Sequence, residues 1–327
     1  MTLDAGDFEY GVAAEIAPDV HRVVAKNPSK FTYHGTGTYI LGRLGGDVAV
    51  IDPGPRLDGH RNALDETLRT STVRSILVTH CHSDHSPLAG WLATETGAPT
   101  YAYGPHGSVE EWDIGGLPDD FGRAPERKPG DEPDDDGLAT PDEPIVEEST
   151  DLDFAPDVEV RTGDQVFEAG DISVSALHTP GHTSNHTCFA MRGPGGNTIF
   201  TGDHVMGWST TVVSPPDGDM GAYIDSLRMV AGRHDDLAVP THGAPIPSPG
   251  RFVGDLVDHR LERERQVLDA VRRGCSTIPE MVAELYAAVR IELHRPAALS
   301  VLGHLVKLVD DGLVSTAARP RLDATYE

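Results

Sequence analysis

Short apolar runs separated by turn residues dominate the first three quarters of the chain. Residues 38–41 (TYIL) and 47–52 (DVAVID) read as β-strands, and the second ends at Pro53-Gly54-Pro55, a strong turn signal. Residues 58–69 follow with a helical pattern. Residues 75–79 (SILVT) form a buried-type strand that runs directly into HCHSDH, and residues 87–96 read as the next helix. β patterning resumes at residues 158–161 and 172–178 (ISVSALH), then at 198–201 (TIFT) and 237–240 (LAVP). Strands alternating with helices through residue 245 predict α/β layers.

From residue 249 the period becomes helical. Residues 255–273 predict a long amphipathic helix. Ser276 or Thr277 is placed to cap a second, PEMVAELYAAV, with Pro279 in its first turn. A third follows Pro296, with Leu302, Leu305, Val306, Leu308 and Val309 on its apolar stripe; Gly312 ends it, and LVSTA offers a short strand. Three helices and a hairpin-like end predict a winged-helix-like module. The expected division is residues 1–248 for the α/β domain and 249–327 for the helical one. Between residues 117 and 154 the chain is rich in Pro, Asp and Glu, too polar to offset its own ordering entropy, and a mobile surface insertion is expected there.

Composition narrows the picture. The 327 residues exceed one ordinary domain, in keeping with a main domain and an appendage. The net charge is −26, and lysine occurs only at Lys26, Lys30, Lys128 and Lys307. Such a surface repels nucleic acid and anionic membranes at long range, so the helical tail is expected to pack rather than to bind DNA. The same charge suits a high-salt cytoplasm. No run of eighteen apolar residues exists, and the acidic opening lacks the basic start of a signal peptide. Three cysteines, Cys81, Cys188 and Cys275, make no disulfide framework; a cytoplasmic protein is expected.

The chemistry concentrates at strand ends. His80-Cys81-His82-Ser83-Asp84-His85 places four ligand-type side chains within six residues at the C-terminal end of a strand. His80 and His82 alternate, so both can face one ion; Asp84 and His85 lie past the turn and can face another. Nitrogen and carboxylate ligands suit Zn(II), Fe or Mn. A polar loop with surface histidines would not need this density. Three later strands end in the same way, at TPGHT (His182), TGDH (Asp203) and PTHG (His242). Cys81, between two ligands, is expected to be a buried thiol. His204 should face away from Asp203, its neighbour. His186 is equally suited to orienting a ligand, touching substrate or filling the core. His259, His294 and His304, on the predicted C-terminal helices, are expected to do no chemistry.

The set HCHSDH, TPGHT, TGDH and PTHG resembles the metallo-β-lactamase superfamily over about residues 20–245. The resemblance implies a four-layer αββα sandwich. It implies that His80, His82 and His182 hold a first metal ion, that Asp84, His85 and His242 hold a second, and that Asp203 bridges them. Asp52, in IDPGP, matches an aspartate that supports the metal loops from behind; a turn residue before proline is the competing role. Two divalent ions, zinc first and iron or manganese as alternatives, imply a hydrolase that uses a bridging hydroxide, with Asp84 as proton acceptor.

Further segments resemble a lactamase-like branch that includes mitochondrial endoribonucleases and polyketide-releasing thioesterases. They are NPSKFTYHGTGTYILG, the stretch HVMGWSTTVVSPPDGDMGAYIDSLRMV and the tail beginning at HRLERERQVLDAV. The acidic surface favours a small ester or thioester acyl substrate over RNA or another phosphodiester. A one-iron persulfide dioxygenase shares a similar H-x-H-x-D-H, but the helical tail speaks against it. The oligomeric state is not legible.

Overall fold

The computed structural model describes residues 8–107, 112–122 and 149–327. The described residues divide into two compact units, one formed by residues 8–107, 112 and 149–262, the other by residues 113–122 and 263–327.

The first unit holds two sheets. Strands β1 (Ala14–Ala17), β2 (Val20–Val24), β3 (Gly37–Leu41), β4 (Asp47–Ile51), β5 (Thr72–Leu77), β6 (Thr100–Ala102) and β7 (Val158–Glu159) lie side by side in that order. The second sheet contains β8 (Gln165–Ala169), β9 (Ile172–His178), β10 (Thr187–Gly193), β11 (Gly196–Gly202), β12 (Leu237–Pro240) and β13 (Ile246–Pro247), in order β13-β12-β11-β10-β9-β8. Most of the central strands are apolar on both faces, and the structure gives each face a partner. Tyr39, Leu41, Ala49, Ile51 and Leu77 point inward to meet Val174, Phe189, Phe200 and Val239 of the other sheet. Their neighbours Ile40, Val48, Val50 and Ile76 point outward onto α1 (Asp58–Leu68) and α2 (Ala89–Thr96) through Leu64 and Leu92. On the far side Leu177, Cys188, Ile199 and Ala238 pack against α3 (Met220–Ala231) and the start of α4 (Pro249–Arg272), through Tyr223, Leu227 and Val253. The period-two alternation of β residues thus builds the four-layer αββα arrangement.

Two parallel pairs position the site. β4 runs parallel to β5, with Ile51 opposite Leu77, and β11 runs parallel to β12, with Gly202 opposite Pro240. Their C-terminal ends release Asp52, the 79–85 loop, Asp203 and His242 together, at the place where α/β sheets gather ligands.

The second unit is helical, with the end of α4, then α5 (Ile278–Leu285) and α6 (His294–Asp310), around Val267, Met281, Val301 and Leu305. Thr277 caps α5 in a full capping box with Glu280, with proline in the first turn. LVSTA does not form a strand. Val314 enters the core instead, and Ser315 exchanges only a pair of backbone hydrogen bonds with Glu327, too little for a ladder.

The ends of the acidic stretch also depart from expectation. Leu117 and Phe121 pack against the helical core, and Arg295 donates to the carbonyls of Pro118, Asp119 and Phe121. Asp151 N–H donates to Cys81 O, Ser83 N–H donates to Ser149 O, and Phe154 enters the main-domain core. A few apolar anchors order these flanks. Residues 123–148, the centre of the expected insertion, lie outside the described residues.

Candidate metal centre

The seven expected ligands converge as two groups. His80, His82, His182 and Asp203 form one, and Asp84, His85 and His242 the other. In the first, His80 Nε2 and His182 Nε2 lie 2.9 and 3.1 Å from His82 Nδ1. In the second, His242 Nε2 lies 3.1 Å from Asp84 Oδ2, and His85 Nε2 lies 3.5 Å from the same oxygen. Asp203 reaches both groups. Its Oδ1 is 3.4 Å from His242 Nε2 and 3.6 Å from His85 Nε2, and its Oδ2 is 3.9 Å from His182 Nε2. Ligand atoms about 3.4 Å apart are what a tetrahedral ion with bonds of about 2.05 Å requires.

The outer ring nitrogens decide where the lone pairs point. His182 Nδ1 lies 2.6 Å from Val212 O, and His242 Nδ1 lies 3.1 Å from Gly35 O. A carbonyl only accepts, so both Nδ1 atoms carry the proton and both Nε2 lone pairs face the centre. His85 Nδ1 donates to Asp52 Oδ2 at 2.8 Å, with the same result. Thr79 Oγ1 spends its proton on Asp52 Oδ2 and so accepts from His80 Nδ1 at 3.1 Å. Lone pairs aimed at one another and at carboxylates repel unless a cation lies between them. His85 Nε2 and Asp203 Oδ1 are buried without a hydrogen-bond partner among the described residues, which a bound cation would remedy. The donor set therefore fits metal ions.

Burial, helped by neighbouring histidines, holds His80 well below its ordinary pKa, and burial draws His82 down to about 3. In the second group burial opposes protonation, yet Asp84, Asp203 and Asp52 raise His85 well above the ordinary value. His242 is raised too, by Asp203 and Asp84, against its burial. A proton is thus drawn to the place where the lone pairs and carboxylates crowd.

Asp52 ties the strand ends together. Its carboxylate, fully buried, accepts from Thr79 N, Thr79 Oγ1, His85 Nδ1 and Thr241 Oγ1 at 2.8–3.0 Å. Its φ of 48° is one that aspartate tolerates better than most residues. His186 supports Asp203 from behind. Its Nε2 accepts from Asp203 N–H at 3.2 Å and its Nδ1 contacts Thr179 Oγ1 at 2.9 Å. Gly202 makes room for this, since a Cβ there would come within 2.7 Å of His186 Nε2.

The threonines of this frame, and Asn27, had no assigned role in the sequence. Thr79 and Thr241 each precede a histidine of the two groups, a repeated Thr-His pair that flags them. Asn27 Nδ2 donates to Thr36 Oγ1, which donates to Asp84 Oδ2 at 3.0 Å. Nothing in spacing alone joins residues 27, 36 and 84.

The remaining candidates lie outside both groups. Cys81 is buried, accepts from Asn185 Nδ2, and is pushed up to about 11 by burial. His204 packs edge-on against Tyr223. His259 lies on α4 and His294 and His304 on α6, and none joins a ligand group.

Histidines buried outside the two groups, His60 and His204 among them, are expected to make the fold acid-sensitive. Burial lowers His60 to about 4 and His204 to about 3. An unfolded histidine titrates near 6.5, so below that pH the unfolded chain takes protons that the folded one refuses. Stability is expected to fall as pH drops from about 6.5 towards 4, by about 1.4 kcal/mol per pH unit for each such group. Melting curves between pH 7.5 and 5 should show a shallower slope in His60→Gln than in the parent; equal slopes would exclude His60 from the effect.

Residues 34–242 match the Metallo-beta-lactamase superfamily, and residues 277–321 match the Beta-lactamase associated winged helix domain. An atrochrysone carboxyl ACP thioesterase of Aspergillus chevalieri is 29% identical over 92% of this chain and 84% of its own length. Lactamase-like protein ptaB of Pestalotiopsis fici is 27% identical over 93% and 84%. Among solved structures, a beta-lactamase domain protein from Burkholderia ambifaria superposes with a TM-score of 0.69 at 21% identity, covering 99% of this chain and 96% of that one. A metallo-beta-lactamase family protein from Thermus thermophilus gives 0.65 at 21% identity, covering 95% and 99%. The αββα layers, the gathered His and Asp groups and the match over residues 34–242 together establish that this chain belongs to the metallo-beta-lactamase superfamily, with a beta-lactamase associated winged helix domain at residues 277–321.

Proposed function

We propose that this enzyme is a dinuclear metal-dependent hydrolase acting on an acyl thioester. The observation that carries the two-ion reading is Asp203, with one carboxylate oxygen turned to each ligand group. His80, His82 and His182 would hold one divalent ion, Asp84, His85 and His242 the other, and Asp203 both; zinc suits five histidines and two aspartates best. When bound, such ions acidify water and polarise an acyl carbonyl.

The chain's own groups orient the rest. Five of the ligands are fixed from behind, His80 by Thr79, His85 by Asp52, His182 by Val212 O, His242 by Gly35 O and Asp203 by His186. Asp84 is the most open of the seven, its side chain 23% exposed. Thr36 holds its Oδ2, leaving Oδ1 to take the proton of the attacking water. Water oxygen joins the acyl carbon, the carbon–sulfur bond breaks, and the thiol leaves with a proton. Thioester chemistry is favoured by two relatives named as carboxyl ACP thioesterases, each aligned over more than 90% of this chain. Among the described residues no helix is long and apolar enough to cross a membrane.

The test is metal quantification followed by an activity panel of thioesters, esters, lactones, phosphodiesters and RNA. Two equivalents of metal with thioester hydrolysis are expected. One iron per chain with persulfide-dependent oxygen uptake would overturn the reading. Thr36→Val should weaken binding of one ion by about 10- to 100-fold in chelator titrations; unaltered affinity would remove Thr36 from the site's support.

A further inference from the structure

Beside Asp84 and His242 stands a pair of aromatic rings that the reaction just described does not use. Tyr33 and Trp208 stack with centroids 4.9 Å apart and planes 10° from parallel, and His34 lies 3.8 Å from the Tyr33 ring. Both residues are half-buried. The pair is joined to the ligands through the backbone. Two residues after Tyr33, Gly35 O holds His242 Nδ1, and the next residue, Thr36, holds Asp84. On the other side, the indole occupies the space a side chain at residue 243 would need. A Cβ on Gly243, directly after His242, would come within 3.0 Å of Trp208 Cδ1.

Two features make this more than packing. Tyr33 has φ 57°, a conformation that bulky L-residues rarely adopt and that concentrates at functional sites. Trp208 Nε1 is buried without an acceptor among the described residues. A buried indole N–H normally finds a partner, so its lack of one here sets this indole apart from ordinary core packing. Both rings of this parallel stack keep part of their surface exposed, against which another planar group can lie.

We propose that Tyr33 and Trp208 form the acyl-recognition wall of the site and select planar, conjugated or aromatic acyl groups over saturated ones. This rests on the thioesterase reading for its reaction but not for its binding test.

The experiment uses the metal-loaded full chain and two N-acetylcysteamine thioesters, benzoyl and cyclohexanecarbonyl, which differ chiefly in ring planarity. In Trp208→Ala the benzoyl-to-cyclohexanecarbonyl ratio of kcat/KM should fall about tenfold relative to the parent, with KM for the benzoyl ester carrying the change. Trp208→Phe and Tyr33→Phe should keep most of the ratio, and Tyr33→Leu should lose it. Equal losses on both substrates, or an unchanged ratio, would overturn the proposal by making the pair structural. Should Trp208→Ala lose metal or fail to fold, Tyr33→Leu and Trp208→Phe carry the comparison. In parallel, calorimetry measures binding of 2-naphthoate against decahydro-2-naphthoate to the same proteins. Trp208-dependent preference for naphthoate without any thioester hydrolysis would sustain the wall and sink the thioesterase reading. Hydrolysis without any planar preference would do the reverse.

Discussion

Asp203→Ala is expected to deplete metal from both ligand groups and to abolish hydrolysis in the same variant. Among the described residues Asp203 is the carboxylate that reaches both groups, with Oδ1 near His85 and His242 and Oδ2 near His182. On the two-ion proposal, removing it would take a ligand from each ion, and it leaves five buried histidines facing one another with one carboxylate fewer. Loss of several kcal/mol of transition-state stabilisation corresponds to a fall on the order of 10³-fold in kcat/KM. Metal content by mass spectrometry and hydrolysis should fall together. Full two-ion occupancy in the variant would show that the bridge is wrongly assigned. Asp203→Asn separates the contributions, because it keeps the volume and one oxygen while removing the charge; it should retain more metal than the alanine variant.

Asp52→Asn should be the next most damaging change, although Asp52 belongs to neither ligand group. Its carboxylate accepts four hydrogen bonds, one at Oδ1 and three at Oδ2. An amide cannot replace it. Whichever way the side chain turns, its NH₂ faces donors, either the Thr79 N–H or the three groups at Oδ2. Asparagine tolerates the positive φ as well as aspartate does, so the backbone is not strained by the change. The unsatisfied donors should cost roughly 2–4 kcal/mol, a fall of roughly 5–15 °C in Tm. Release of His85 should weaken metal binding by about 10- to 100-fold as well. A variant with parental Tm and metal affinity would reduce Asp52 to a turn residue preceding Pro53.

The two variants bear on different layers of what could be read from the chain. Ligands at strand ends were legible because a strand that stops abruptly at a His or Asp beside a small residue is a local event, visible within a few positions. HCHSDH, TPGHT, TGDH and PTHG each show it. The strands β1, β2, β6, β8, β10 and β13 and the helix α3 are not legible from pattern. β1 and β8 are short and half-exposed, and their apolar residues are too few for a clear period. The order of the acidic stretch's flanks is not legible either, because three apolar residues, Leu117, Phe121 and Phe154, suffice to anchor segments that are otherwise polar.

By itself, the sequence determined the layered α/β class, the helical C-terminal region and the identity of the ligand-type residues, because each is written in local periodicity or in residue chemistry. Only the tertiary structure decided which oxygen of Asp203 faces which group, that Asp52 locks three strand ends, that the Asn27–Thr36 pair holds Asp84, and that Tyr33 stacks on Trp208. These are contacts between residues far apart in the chain. They arise from the register of two parallel strand pairs and the packing of two sheets, and no local pattern encodes them.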